Sequence, residues 1–227
     1  MSDPRPPAIG AVRFGDLRRV APVSRAFGFG RGRPVDRVYI EAFLERHRRD
    51  VRGRVLEVGD DGYTRRFGGE RVERADVLDL RADNPHATIV ADLARGEGVP
   101  AGAFDCAILT QVLQFVYDLP AALRTLERAL APGGVLLATL PALSQVCRDD
   151  MDRGGDFWRF TRASVRRLLE EAFGAGAVTV AEHGNVLAAV SFLHGLGAEE
   201  LEPEELAHHD PDYALVVTAR AVKPAGR

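Results

Sequence analysis

Apolar runs in the first half of the chain end, one after another, on residues that bind polar ligands. The first, Arg54-Val55-Leu56-Glu57-Val58, enters the turn Gly59-Asp60-Asp61-Gly62-Tyr63. The next ends in Asp76 and another in Asp92, and Phe104 to Thr110 leads into Gln111-Val112-Leu113-Gln114. An ionised carboxylate only accepts hydrogen bonds and has two oxygens, so one acid can hold a vicinal diol. Asp76 is the expected diol acceptor, with Asp79 taking that part if its run extends further. Gly59 has no Cβ, which lets a ligand come close to the backbone. A single acid at the end of a run is an ordinary turn residue. Acids that close successive runs outline one crevice.

The patterning that positions them is that of an α/β sheet. Strands are expected at 54–58, 71–76, 88–91, 104–109 and 134–140, and later at 177–181 and 213–220. Ile40, Phe43 and Leu44 give 35–49 a helical stripe, and Leu119, Ala122, Leu123 and Leu126 do the same for 120–129. Pro132-Gly133-Gly134 stops that second helix. Further helices are expected at 163–172, capped by Thr161, and at 185–196. The early connections are short: Thr64 to Phe67 allows barely one helical turn, and 79–88 shows no helical pattern. The N-terminal helix is therefore expected to cover the sheet near its start, because a bare parallel sheet leaves an apolar face wet. In an open α/β sheet ligands bind outside the carboxyl ends of the strands, where the strand order reverses.

In that order these segments resemble the class I S-adenosylmethionine-dependent methyltransferases, specifically the small-molecule group called type 11. The resemblance is carried by Glu57-Val58-Gly59, Asp76, Val90-Ala91-Asp92-Leu93, Thr110-Gln111 and Pro132-Gly133-Gly134. It implies a Rossmann-like sheet, mostly parallel with a last antiparallel strand, with lean early helices and an N-terminal helical cap. Residues 1–22 then form a poorly ordered N-terminus, 23–53 the cap segment and 54–227 the methyltransferase-like domain. It also implies S-adenosylmethionine as cofactor. Glu57 would lie near the methionyl amine, Gly59 and Asp61 in the loop, Asp76 on the ribose, and Asp92 with Leu93 at the adenine. Thr110 and Gln111 would border the cofactor and Gln114 the substrate. Asp61 departs from the family's pattern, standing where the middle glycine of the loop usually is; its Cβ and charge would crowd the methionine end.

Past the fifth strand, Asp156-Phe157-Trp158-Arg159-Phe160-Thr161 is similar to a stretch of some sugar and natural-product methyltransferases. It offers an acid, an aromatic wall and a guanidinium to a polar acceptor; its bland alternative is a helix entry with Trp158 buried and Asp156 paired to Arg159. Asp156 and His183 are the candidate catalytic residues, His183 being the histidine best placed for a general base. Gln111 can orient an acceptor but cannot act as a base. Tyr39, with Asp36 and Arg37 on the N-terminal helix, could close over the site. Adjacent histidines in an extended chain point apart, so His208-His209-Asp210 with Asp212 is not read as a metal site.

Composition narrows the partners. The 227 residues carry a formal net charge of −3, divided into +6 for residues 1–53 and −9 for the rest. That balance argues against nucleic acid. No apolar run is long enough to span a membrane, and the first residues lack the apolar core of a signal peptide, so a cytoplasmic protein with reduced Cys106 and Cys147 is expected. The reading is a methyltransferase, monomer or homodimer, acting on a small-molecule acceptor, a hydroxyl of a sugar or secondary metabolite. The alternatives are a fold-sharing enzyme of another reaction and a non-catalytic binding protein. A nicotinamide dehydrogenase is disfavoured because the first turn lacks the full Gly-x-Gly-x-x-Gly.

Overall fold

β-Branched and leucine-rich runs pair into one seven-stranded sheet in a computed structural model that describes residues 5–225. The strands are β1 (Gly53–Val58), β2 (Val72–Asp79), β3 (Ile89–Val90), β4 (Phe104–Thr110), β5 (Leu130–Pro141), β6 (Val178–His183) and β7 (Val216–Val222), in the order β3-β2-β1-β4-β5-β7-β6. All point one way except β7, which pairs antiparallel with both β5 and β6. The order reverses between β1 and β4, so the loops after these two strands face each other across a crevice.

The helices are α1 (Val35–Arg46), α2 (Leu119–Ala129), α3 (Arg148–Arg153), α4 (Arg162–Phe173) and α5 (Val186–Leu193), with a five-residue segment at Pro203–Ala207. Their starts are chemically marked. Asp118 accepts from the Ala121 amide ahead of Pro120, and Thr161 and Ser164 cap each other reciprocally. Asn185 accepts from the Ala188 amide. On one face, Leu123 and Leu126 of α2 and Leu169 of α4 share a core with Leu109, Leu136 and Leu140. On the other, Ile40 and Leu44 of α1 and Phe192 of α5 meet Val55, Cys106, Ile108 and Leu137. A leucine buried as completely as Leu126 contributes roughly 1.5–3 kcal/mol over an exposed one.

The connections near the first strands are as lean as the sequence implies. Two short turns, Thr64–Gly68, with Phe67 buried, and Gly69–Arg71, join β1 to β2, and neither 80–88 nor 91–103 contains a helix. The place of a longer helix is taken by α1, whose Tyr39 and Phe43 lie in the same cluster as Phe67 and Val55. Of the segment expected to be poorly ordered, residues 1–4 lie outside those described. Residues 5–22 contain a hydrogen-bonded turn at 8–11, a short helical turn at Gly15–Leu17, and no buried side chain.

The main departure is β2, which runs three residues beyond the expected Asp76, to Asp79. β5 also starts early, because Leu130 already pairs with Phe104. Cys106 and Cys147 are both free thiols. Among the described residues no helix is long and apolar enough to cross a membrane.

Candidate active site

The turn after β1 is built around one left-handed glycine. Gly59 has φ +89°, and a Cβ placed there would meet no atom within 4 Å, so its outer side opens onto space a ligand can enter. Its N–H donates to the Leu78 carbonyl at 3.0 Å, and its own carbonyl accepts from Asn84 Nδ2 at 2.7 Å. Asp60 steadies the turn by accepting from the Gly62 amide at 2.7 Å. Glu57 lies beneath, buried, accepting from the amides of Thr64 (2.7 Å) and Tyr63 (3.3 Å). Burial pushes its carboxyl up to about 7, against those hydrogen bonds; among the described residues no arginine or lysine reaches it.

Asp61 does not crowd this cradle. Its carboxylate turns along the chain to Arg65, four residues on, with contacts of 2.7 Å to Nε and Nη2. Arg65 is largely exposed, so the pair is worth under about 1 kcal/mol. Asp61→Gly is accordingly expected to change stability by less than about 1 kcal/mol and to leave ligand affinity within a few-fold, as urea denaturation and calorimetric titration would read. A large loss in either would show that the carboxylate serves the ligand.

Asp76 is not the end of its strand. It pairs with Leu56 in the middle of the ladder and is fully buried, with Oδ2 accepting from Arg54 Nε (2.7 Å) and Oδ1 from Arg74 Nη2 (2.9 Å) and Thr88 Oγ1 (3.0 Å). Burial opposes its ionisation, yet hydrogen bonds from Arg54, Arg74 and Thr88 outweigh it and hold the carboxyl below the usual range. The end of β2, where the sequence places the expected diol acceptor, is occupied by Asp79 instead. There Oδ1 accepts from the Arg81 amide (2.8 Å) and Oδ2 from Asn84 Nδ2 (2.6 Å), which leaves each oxygen a further lone pair. Asp92 follows β3 and is partly exposed, with Arg95 at 3.6 Å. Leu93, next to it, is an apolar core residue.

On the other side of the crevice, beyond β4 and β5, is a cavity of about 270 Å³. Thr110, Gln111 and Gln114 line it, with Phe27 and Phe29, Asp36 and Arg37 from the α1 end, and Asp156 and Arg159 from the entry to α4. Gln111 holds an unusual φ of +56°, fixed by its N–H donating to the Thr139 carbonyl at 2.9 Å. Gln114 Nε2 donates to the Gln111 carbonyl at 2.8 Å, which leaves its Oε1 free. Gln111 Nε2, Gln114 Oε1 and Asp36 Oδ1 are all buried without a partner. Burial raises the Asp36 carboxyl, with Arg37 partly offsetting it. Asp36 is the functional candidate that sequence reasoning left in the background. Its signal was a charge within the apolar stripe of a helix, at i, i+3, i+4 with Tyr39 and Ile40.

The two candidate bases come out differently from expectation. Asp156 is paired bidentately with Arg159 (2.6 and 3.0 Å) and also accepts from the Cys147 amide (3.0 Å). Although burial opposes it, the Arg159 hydrogen bond prevails and keeps the Asp156 carboxyl below its usual range, which makes it a weak proton acceptor. Arg159 spends further donors on the carbonyls of Ser144, Gln145 and Trp158, so the motif braces the cavity wall. Trp158 donates to the Val116 carbonyl at 3.0 Å and lines a separate groove with Tyr117. His183 ends β6, outside this cavity; its Nε2 is 2.9 Å from Thr218 Oγ1, its ring stacks on Tyr39, and burial lowers its pKa. Tyr39 donates to the Leu206 carbonyl and lines, with His183, a third groove apart from the cavity and from the Trp158 groove. Among the described residues no three His, Cys, Asp or Glu side chains are grouped to hold a metal ion.

Comparison with known proteins gives this geometry a context. A family model described as "Methyltransferase domain" matches residues 31–191. A malonyl-[acyl-carrier protein] O-methyltransferase of Serratia marcescens is 29% identical over 133 residues, which cover 49% of this chain and 50% of that protein. The chain thus matches about half the length of that curated relative. Among solved structures, the N-methyltransferase NodS of Bradyrhizobium japonicum WM9, in complex with S-adenosyl-l-homocysteine, superposes with a TM-score of 0.53 at 17% identity, covering 85% of this chain and 89% of that one. A SAM-dependent methyltransferase from Archaeoglobus fulgidus gives 0.55 at 13% identity, covering 82% and 94%. At these identities the structural likeness speaks for the fold.

Proposed function

The chain belongs to the methyltransferase-domain family, and from that premise we propose that it transfers a methyl group from S-adenosylmethionine to a small polar acceptor bound beyond β4 and β5. The cofactor, when bound, supplies a methyl group already activated on a sulfonium. The residues after β1, β2 and β3 fit it. Gly59 gives backbone access, Asp79 offers two acceptor oxygens to the ribose diol, and Asp92 stands at the adenine end. Arg37, whose guanidinium donates to the Tyr63 hydroxyl (3.2 Å) and has no carboxylate within 4.0 Å among the described residues, would meet the methionyl carboxylate.

The observation that supports an acceptor site is the set of three unpartnered buried polar atoms, on Asp36, Gln111 and Gln114, around one small cavity. Such atoms are costly unless a ligand or water satisfies them. About 270 Å³ suits a small molecule. The protein's work there is alignment and exclusion of water, with Phe27, Phe29 and Phe115 as the wall. A hydroxyl or an amine on a sugar or another secondary metabolite meets the description, and we place the reaction in the cytoplasm. The relatives named above act at oxygen and at nitrogen, so kinship leaves the methylated atom open.

The test is titration of the purified chain with S-adenosylmethionine and S-adenosylhomocysteine, then methyl-group transfer from labelled cofactor to a panel of small alcohols and amines. Micromolar cofactor binding with transfer to some of the panel is expected. Gln114→Ala should reduce transfer at least tenfold while cofactor affinity stays within a few-fold. Absence of cofactor binding would overturn the reading.

A further inference from the structure

We propose that the acceptor cavity is built for an alkylammonium group, with Asp36 as its counter-ion and Gln114 as its second hydrogen-bond acceptor. The acceptor's role rests on the methyltransferase reading above; the recognition of the cation rests on the cavity alone.

The hydrogen-bond inventory points this way. Gln114 Nε2 faces a carbonyl, so the amide orientation is fixed and the free atom must be the oxygen. Asp36 Oδ1 is likewise an acceptor with nothing donating to it, on a residue only 9% exposed. Gln111 Nε2 is the single unpartnered donor. Satisfying the two buried acceptors takes a guest with at least two N–H or O–H donors, while the Arg37 guanidinium, which also lines the cavity and donates to the Tyr63 hydroxyl, keeps N–H groups for an acceptor atom of the ligands. An isolated hydroxyl brings one donor and leaves an acceptor empty, whereas an ammonium brings up to three.

Charge separates the ammonium from a diol, which could also supply two donors. The lining carries three carboxylates, Asp36, Asp150 and Asp156, against two guanidiniums, Arg37 and Arg159. Asp156 and Arg159 neutralise each other in a bidentate pair. The remainder, Asp36 and the partly exposed Asp150 against Arg37, is one carboxylate in excess, which a cationic guest would balance. Burial holds the Asp36 carboxyl above its usual range, with Arg37 and neighbouring backbone N–H groups offsetting it, and a cationic guest in the cavity would favour its ionised form. Glu57 and the turn after β1 do not line this cavity, which separates the site from the place expected for the cofactor's own amine.

The test compares two guests of one shape: trans-2-aminocyclohexanol, cationic at neutral pH, and trans-1,2-cyclohexanediol. Each is titrated into the full chain at pH 7.5, with and without S-adenosylhomocysteine. The amine is expected to bind on the order of tenfold more tightly, the usual worth of a charge-assisted hydrogen bond. Asp36→Asn, which keeps the shape, should abolish that preference and leave S-adenosylhomocysteine affinity within twofold. Equal or tighter binding of the diol by the native chain overturns the proposal without any variant, as does failure of both guests to bind. A variant that loses S-adenosylhomocysteine as severely as the amine would assign Asp36 to the cofactor and overturn it too. If the native chain takes the amine but not S-adenosylhomocysteine, the methyltransferase reading fails while the cation site stands.

Discussion

Asp79→Ala is expected to weaken S-adenosylhomocysteine binding roughly a hundredfold with little loss of stability, and Asp76→Ala to do the reverse. Two hydrogen bonds from a ribose diol to one carboxylate are worth about 3 kcal/mol together, or two decades in affinity. Asp79 has the unspent lone pairs to make them. Its present partners are the Arg81 amide and the Asn84 side chain, both in the adjoining loop, so its removal should loosen that loop rather than the core. Asp76 is different. It is the buried anion to which Arg54 and Arg74 donate, and the Arg54 guanidinium also lies 4.8 Å from the Phe104 ring centroid. Removing the buried Asp76 carboxylate strips the Arg54 and Arg74 guanidiniums and the Thr88 hydroxyl of their acceptor; because Arg54 is 29% and Arg74 62% exposed, water compensates part of that loss, and a cost of roughly 1–3 kcal/mol is expected. Urea denaturation and calorimetric titration of both variants separate the two carboxylates. Loss of ligand affinity in a fully stable Asp76→Ala would contradict the assignment.

That contrast also shows what a sequence can and cannot reveal. The strands, the reversal of order and the two amphipathic helices α2 and α4 follow from spacing, because Leu123, Leu126 and Leu169 recur at intervals that a helix turns to one side. The end of β2 does not follow. In Val72-Glu73-Arg74-Ala75-Asp76-Val77-Leu78-Asp79 the first aspartate reads as a strand terminus, since a lone charge cannot be buried. Arg74, two residues earlier, is a local donor to it, but Arg54, 22 residues earlier, and Thr88, 12 later, also make its burial tolerable, and no local pattern announces those two. His183 lies apart from the cavity for a topological reason. It does end a strand, but β6 is the outer edge of the sheet, three strand spacings or roughly 14 Å from β4. Strand order is set by long-range pairing, which periodicity does not encode. The pairing of Asp156 with Arg159 was legible because three residues bring side chains together locally. Its consequence, a carboxylate too well satisfied to take a proton, emerged only with the Cys147 amide in place.

Glu57→Gln is expected to flatten the pH dependence of stability, with the variant gaining on the native chain by about 3 kcal/mol between pH 4.5 and 7. The folded carboxyl sits near 7, above its ordinary value of 4.5, because burial disfavours the charge more than the Thr64 and Tyr63 amides stabilise it. Between those values the folded chain holds a proton that the unfolded chain has released. Stability from this group is therefore fully present below about pH 4.5 and is lost as the pH rises through 7. Glutamine mimics the protonated acid throughout, so its curve lacks that descent. Urea midpoints at several pH values give the difference directly, and parallel curves for the two chains would refute the argument. The same imbalance bears on function. Under the proposed cofactor reading, Glu57, a buried acid beside the Gly59 turn with no arginine or lysine in reach among the described residues, is expected to take its cation from the ligand. Binding of S-adenosylhomocysteine, whose methionyl amine is cationic, should then ionise Glu57 and release a proton near pH 6, visible as a dependence of the binding heat on the buffer's ionisation enthalpy. The release should vanish in Glu57→Gln.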